Sequence, residues 1–324
     1  MTQVSTQTAN PATATPPPAS VPVAVARPIA HLVAGALRSA TVLAAHSAAV
    51  VLCVEPLPGP VGRGRADVTR VVTLLAREAS GVPNGARTAL RAADRPFDGI
   101  SIDDAAFVGA GGIRLQGSAF HAVRVVNTGA PHVIPSTAAI AAIAQAAATA
   151  PRGVPSDRVD DLRAALDSGD AAGLRHAVRA LVGLGSGSTP GGDDVLAGTL
   201  AGLAATRRDV RAQQIAAAAL PDLDSRTPLM SADLLRLAAA GHVCTEAGAV
   251  LRATAGPRAD LHKALAALLA VGHTSGADLA TGLAIGLGAA ALPQPRRARR
   301  STGSSPVGSP RDATGRTGVP AGAR

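Results

Sequence analysis

Aromatic side chains are nearly missing from this chain of 324 residues, which has no Trp, no Tyr and only Phe97, Phe107 and Phe120. A sequence so poor in rings has no stacking platform for nucleic-acid bases, and its core has to be built from Ala, Val and Leu. Lysine is as scarce, with Lys263 standing alone among the arginines. Cysteine is limited to Cys53 and Cys244, both in apolar contexts; they read as two small hydrophobes in a reducing compartment rather than as a disulfide. The longest apolar stretch, Thr281 to Leu292, falls short of the roughly twenty residues that cross a bilayer. The first 25 residues lack the basic start and apolar run of a signal peptide. No CxxC or HExxH spacing and no nucleophile elbow occurs. These absences lead to the expectation of a cytoplasmic protein with no membrane contact and no covalent hydrolase chemistry.

What is present is apolar and basic: 47% of residues are hydrophobic, 16% are charged, and the formal net charge is +9. The excess sits mostly at the end, where Arg296, Arg297, Arg299, Arg300, Arg311, Arg316 and Arg324 face Asp312 alone. The remaining body is too mildly basic for a polyanion groove, so nucleic acid is an expected partner only through the tail.

The hydropathy pattern divides the chain into four parts. Residues 1–25, polar and rich in proline, read as a disordered leader, and residues 293–324, rich in Arg, Pro, Gly and Ser, as a disordered tail. Residues 26–135 read as a mostly β domain, with strands predicted at Val50 to Val54, Ala105 to Val108, Ile113 to Gln116 and Ala122 to Asn127. Ile113, Leu115, Val123 and Val125 alternate with Arg114 and Arg124, as in strands with one wet face. Helices are predicted within this part at Ile29 to Ser39 and Thr69 to Ala79. Residues 136–292 read as an all-α domain of about seven helices, with starts at Ser136, Ser156, Asp170 and Ser231 and with Gly183, Gly241 and Gly272 as C-terminal caps. The expected fold class is α+β, a mostly β N-terminal domain followed by an all-α C-terminal domain.

The segment Leu184 to Leu203, LGSGSTPGGDDVLAGTLAGL, is the richest in chemistry. Gly185 and Gly187 free the backbone to bring N–H groups close to a ligand, and Ser186, Ser188 and Thr189 add hydroxyl donors. With Thr189 as N-cap and Pro190 in the first turn, the positive end of the following helix would meet an anion. Asp193 and Asp194 suit the helix dipole but repel a bound phosphate or carboxylate. Three readings stand side by side: a divalent ion, most naturally Mg²⁺, bridges them to the anion; one moves a proton while the other caps; or both simply cap the helix and pair with arginines.

A second segment, Val271 to Ala289, echoes the first. It runs from Gly272, Thr274 and Ser275 into Asp278, and aligning Asp194 with Asp278 places Gly198 on Gly282 and Gly202 on Gly286. A spacing of four puts each glycine row on one helix face. Two such helices would pack closely and bring both loops to one site. Thr274 and Ser275 are then further anion-binding candidates and Asp278 a third metal-ligand candidate. His273 is a candidate proton carrier or a cap. Asn127, closing a strand before the helical part, either stabilises a turn or presents its amide to a substrate at the domain junction.

The run LVGLGSGSTPGGDDVLAGTLAGL, with VVNTGAPHVIPS before it and SADLLRLAAAGH and GHTSGADLATGLAIGL after it, resembles the AllH family, whose members are associated with the oxamate carbamoyltransferase complex of anaerobic allantoin breakdown. The resemblance covers most of Val123 to Leu292. It implies a subunit of an enzyme moving a carbamoyl group between oxalurate and phosphate, giving oxamate and carbamoyl phosphate, in company with other subunits. It further implies that Gly185 to Thr189 holds an anionic group and that Asp193 or Asp194 fixes a metal or moves a proton. Two alternatives are a non-catalytic partner subunit of such a complex and a Mg²⁺-dependent phosphate-binding or phosphotransfer protein.

Overall fold

The computed structural model describes residues 20–56 and 70–289. Residues 1–19 and 290–324, on which most of the disorder expectation falls, lie outside the described residues. The end of the expected leader does not: Ser20 to Val25 belong to a strand. The barrel and the helices belong to one compact unit.

Eight strands make up the first half: β1 (Ser20–Ala26), β2 (Arg38–His46), β3 (Ala49–Val54), β4 (Val71–Leu75), β5 (Gly85–Thr88), β6 (Ala105–Gly109), β7 (Gly112–Leu115) and β8 (Ser118–Val126). They close into a barrel in the order β1, β5, β4, β3, β2, β6, β7, β8. The β1–β8 and β4–β5 pairs are parallel and the others antiparallel. Register aligns Val42 with Leu52 and Leu52 with Val72, so branched aliphatic side chains from neighbouring strands share the interior. Ile29, Leu32 and Val33 join the barrel core, the last two from the short helix α1 (Ala30–Ala34). The helix expected over Ile29 to Ser39 is therefore shortened, because β2 already begins at Arg38.

Two other expectations for this half are corrected. Thr69 to Ala79 is not helical but contains β4, all five of whose residues are buried. A strand covered on both faces has no alternation and so resembles a buried helix in sequence. Its outer face is covered by the helix Leu229–Ala239: the Thr73 hydroxyl donates to Met230 Sδ at 3.9 Å, and the Arg70 amide donates to Asp233 Oδ1 at 3.1 Å. Ile113 and Leu115 face inward with Arg114 outside, as the alternation required, but Val123 and Val125 are exposed. The β7–β8 pairing stops at His121, so the rest of β8 has only β1 as a neighbour and no closed interior behind it.

Nine α-helices follow among the described residues rather than seven: α2 (Thr137–Thr149), α3 (Ser156–Ser168), α4 (Ala171–Leu181), α5 (Gly191–Ala205), α6 (Asp209–Ala219), α7 (Leu229–Ala239), α8 (Thr245–Ala253), α9 (Arg258–Leu269) and α10 (Ser275–Gly288). Ser136 and Asp170 cap α2 and α4 through their side chains, accepting from the Ala139 and Ala172 amides. The two other starts shift. Pro155 occupies the N-cap of α3, with Ser156 already helical, and α7 begins at Leu229 with Ser231 inside it. Proline suits a helix entrance because its fixed φ and missing N–H cost nothing there. Gly183, Gly241 and Gly272 all have positive φ just beyond the ends of α4, α7 and α9, the left-handed geometry that glycine supplies.

The helices α5 and α10 form the centre of this half, with almost every residue of each buried. They touch along their glycine rows. A Cβ on Gly198 would collide with the Leu279 carbonyl oxygen, one on Gly282 with that of Val195 and one on Gly286 with that of Thr199. At Gly202 it would lie 2.8 Å from the Leu287 nitrogen. The backbones thus approach to a distance that no larger residue permits.

Candidate functional site

The two glycine-rich helices start side by side, so the loops before them meet. The Thr189 and Ser275 hydroxyls lie 3.4 Å apart, and from this junction the three aspartates take separate directions. Asp193 turns into the protein, where it is 2% exposed. Its Oδ1 accepts from the Gly183 amide at 2.8 Å, and its Oδ2 accepts from the hydroxyls of Ser231, at 2.6 Å, and Thr227. It therefore ties the start of α5 to the end of α4 and to the entrance of α7. This is the use of Ser231, whose position was mistaken for a helix cap.

Asp278 is wholly buried, and both its oxygens accept from the Gly153 amide, at 3.2 and 3.0 Å. The Thr274 side chain also bonds to it and Arg152 lies near, while burial raises its pKa above the ordinary carboxylate value. It fastens the α2–α3 connection across α10. Gly153 and Gly191 are required there, because a Cβ on either would lie 2.9 and 2.7 Å, respectively, from Asp278 Oδ2.

Asp194 is different. It is 8% exposed, and its Oδ2 is buried without a hydrogen-bond partner. Desolvation is the main cause that pushes its pKa up to about 8; the Ser275 side chain, which hydrogen-bonds to it, opposes the rise, and the charges of Asp278 and Asp193 add to it. At neutral pH it is therefore largely a neutral acid, able to donate as well as accept a proton.

The same side chain lines a cavity of about 210 Å³ between the Ser80–Pro83 segment of the barrel and helices α5, α7, α8 and α10. Ala197, Ala201, Leu234 and Val243 supply apolar wall, and Thr189, Ser275, His242, Cys244 and Glu246 supply polar groups. Glu246 Oε1 accepts from the Gly81 amide at 3.3 Å, whereas its Oε2 is buried and unpartnered. Burial lowers the His242 pKa, with Arg27 as a second cause, and the ring's Nδ1 lies 3.0 Å from the Thr128 hydroxyl. Burial pushes the Cys244 thiol up to about 12, so it is an inert thiol whose sulfur caps α8 by accepting from the Ala247 amide. Both cysteines are free.

Several residues expected at the site lie elsewhere. Gly185, Ser186, Gly187 and Ser188 are exposed, and Thr189 is the one residue of that loop on the cavity wall. The expected anion cradle at the start of α5 is largely closed by the protein's own carbonyls: the Gly192 amide donates to Leu184, and the Asp193 and Asp194 amides donate to Pro190. The start of α10 is closed in the same way, with the Gly276 amide donating to Val271 and those of Ala277 and Asp278 to Thr274. Thr189 is not the N-cap, a place taken by Pro190. His273 is exposed and stands off the cavity wall. Asn127 is exposed and folds its own turn, its Oδ1 accepting from the Gly129 amide at 3.1 Å.

A shared metal ion does not fit the three aspartates. Among the described residues no group of three or more His, Cys, Asp or Glu is placed to hold one. Asp193 and Asp278 have committed their oxygens to the backbone and to hydroxyls, which leaves Asp194 as the one of the three with an unpartnered oxygen.

Sequence reasoning missed Glu246, Cys244 and the barrel residues Ser80, Val82 and Pro83. Nothing local distinguishes them: Glu246 reads as an ordinary acid in the first turn of α8. They enter the site only because the Thr245 amide donates to the Gly81 carbonyl at 2.8 Å and draws the barrel loop over α8.

The model of the AllH family, described as oxamate carbamoyltransferase subunit AllH, matches residues 181–287. That segment, about a third of the chain, runs from the end of α4 to the last turn of α10 and supplies every cavity-lining residue except the three from the barrel. No curated protein and no solved structure matches the chain.

Proposed function

We propose that the chain is a subunit of a carbamoyltransferase complex of the oxamate type, with the cavity at Asp194 as its working site. The observation that carries this reading is the unpartnered Oδ2 of Asp194, a carboxyl with a raised pKa, inside a largely apolar cavity built almost wholly from the family-matched segment. Carbamoyl transfer between oxalurate, oxamate and carbamoyl phosphate passes through a tetrahedral centre whose oxygen gains negative charge. A carboxylic acid with a pKa of about 8 can donate a hydrogen bond to that oxygen and surrender its proton to a leaving nitrogen. Asp193 is a positioning residue: it fixes the first turn of α5 and so sets where Asp194 stands. The exposed loop Gly185 to Ser188 lies at the edge of the site, outside the cavity, where a group of a companion subunit would meet the substrate. The exposed Val123, Val125 and Ile134 offer apolar surface for companions to cover. His273 has no part in this mechanism and no step runs through a metal.

The test is turnover of the complex reconstituted with its companion subunits, measured as carbamoyl phosphate formed from oxalurate and phosphate. Asp194→Asn keeps the side-chain volume and removes the transferable proton, and kcat is expected to fall at least about a hundredfold, in the range of a lost acid–base group. An assembled Asp194→Asn complex with full turnover overturns the reading.

A further inference from the structure

The cavity's polar chemistry has one direction. Two buried carboxyl oxygens, Asp194 Oδ2 and Glu246 Oε2, have no hydrogen-bond partner, and both residues line the same cavity from different helices, α5 and α8. A buried acceptor left unpaired loses the hydrogen bonds it had to water, so two around one space are an arrangement that a ligand relieves. No Lys or Arg is among the lining residues. The ring of His242 is held toward neutrality by burial and by Arg27, and the Cys244 thiol stays protonated. Arg87 acts on Glu246 and Arg27 on His242 from behind the wall, but neither lines the cavity, so an anion entering here would meet two acids, with Asp193 and Asp278 behind one of them, and no cation on the wall itself.

We propose that the cavity binds the nitrogen-bearing end of a small molecule, an ammonium or primary amide group whose N–H bonds are donated to Asp194 Oδ2 and Glu246 Oε2. The carbon atoms next to that nitrogen lie on Ala197, Ala201, Leu234 and Val243. The remaining acceptors and hydroxyls, Thr189 and Ser275, lie on the side of the exposed glycine-rich loop, so any anionic end of the ligand stays outside the acidic interior. A space of about 210 Å³ is below the usual range of about 300–1,000 Å³ for drug-sized ligands, which limits the occupant to a small metabolite. The mainly apolar wall favours such an organic group over a bare metal ion, for which the described residues assemble no cluster. This names the ligand chemistry of the cavity and rests on the preceding choice of that cavity as the working site.

The experiment titrates the isolated full chain with n-butylammonium, butyramide and butyrate, which share a short alkyl body and differ at the head, and reads binding calorimetrically. Saturable binding of the ammonium or the amide, with butyrate silent, is the expected result. Asp194→Asn and Glu246→Gln are each expected to weaken that binding at least tenfold, and two variants on different helices guard against one failing to fold. If the head is an ammonium, affinity rises from pH 7 to pH 9 as Asp194 loses its proton; if it is an amide, affinity does not rise. Binding of butyrate equal to the others, no binding by either nitrogen compound, or nitrogen-compound binding unchanged in both variants overturns the proposal. Because turnover is measured on the complex and binding on the chain alone, the two failures separate. Loss of turnover in Asp194→Asn without nitrogen selectivity removes this inference and keeps the carbamoyltransferase reading, and the reverse pattern does the opposite.

Discussion

The barrel and the α5–α10 pair are both tightly buried, and they are packed by opposite means. The barrel fills its interior with side chains such as Val42, Leu52, Leu74 and Ile113, and its backbone geometry is set by strand register. The helix pair is packed by omission: Gly198, Gly202, Gly282 and Gly286 let one backbone press on another. The barrel is therefore sensitive to volume lost and the helix pair to volume gained. The difference also explains where the cavity lies. Closely drawn helices bring their N-termini together, which forces three aspartates into one buried region and leaves Asp194 without a backbone partner for one oxygen.

That contrast can be broken most forcefully at the helix pair. Gly282→Leu places a side chain against the Val195 carbonyl and is expected to cost more than about 3 kcal/mol, beyond the usual overpacking range of about 1–3, measured by urea unfolding. Stability unchanged by this substitution would mean that the two helices do not meet as described. In the barrel the opposite change is the informative one. Val42→Ala, at a fully buried interior position, is expected to cost about 2 kcal/mol from two lost methyl-sized groups and the cavity they leave, read from the same unfolding curves.

A pH-dependent effect sharpens the comparison at the site itself. The Asp194 pKa is raised from 3.8 to about 8. Between those pH values the folded chain retains a proton that the unfolded chain has released, so rising pH destabilises the fold across this window, by at most about 1.4 kcal/mol per pH unit. Unfolding midpoints measured from pH 5 to 9 are expected to fall with pH in the parent chain and to flatten in Asp194→Asn. An equal slope in both would show that Asp194 is not the group responsible.

Much of the secondary structure was legible because its signals are local. The caps Ser136 and Asp170 and the left-handed glycines Gly183, Gly241 and Gly272 act on their own neighbours, and the glycine rows of α5 and α10 announce a close approach through spacing alone. The misreadings share a cause. β4 lost its alternation because α7 covers its outer face, the end of β8 kept its alternation although no β7 lies beside it, and Ser231 looked like a cap because a serine before an apolar run usually is one. Of the site, the glycine-rich loops and the Asp193–Asp194 pair stood out. Their roles did not, since adjacent residues on a helix point about 100° apart and only the surroundings show which of two acids is satisfied.

By itself the sequence determined the change from a strand-rich to a helical half, the aliphatic character of the core and the pairing of α5 with α10, because each follows from composition, periodicity or the backbone freedom of glycine. Only the tertiary structure decided that the strands close into a barrel, that Asp193 and Asp278 are bound to the protein while Asp194 faces a cavity, and that Glu246 joins it from another helix. These outcomes depend on which backbone N–H and hydroxyl groups reach each carboxyl across distances of up to 165 residues along the chain, and a burial shared by distant segments leaves no local trace.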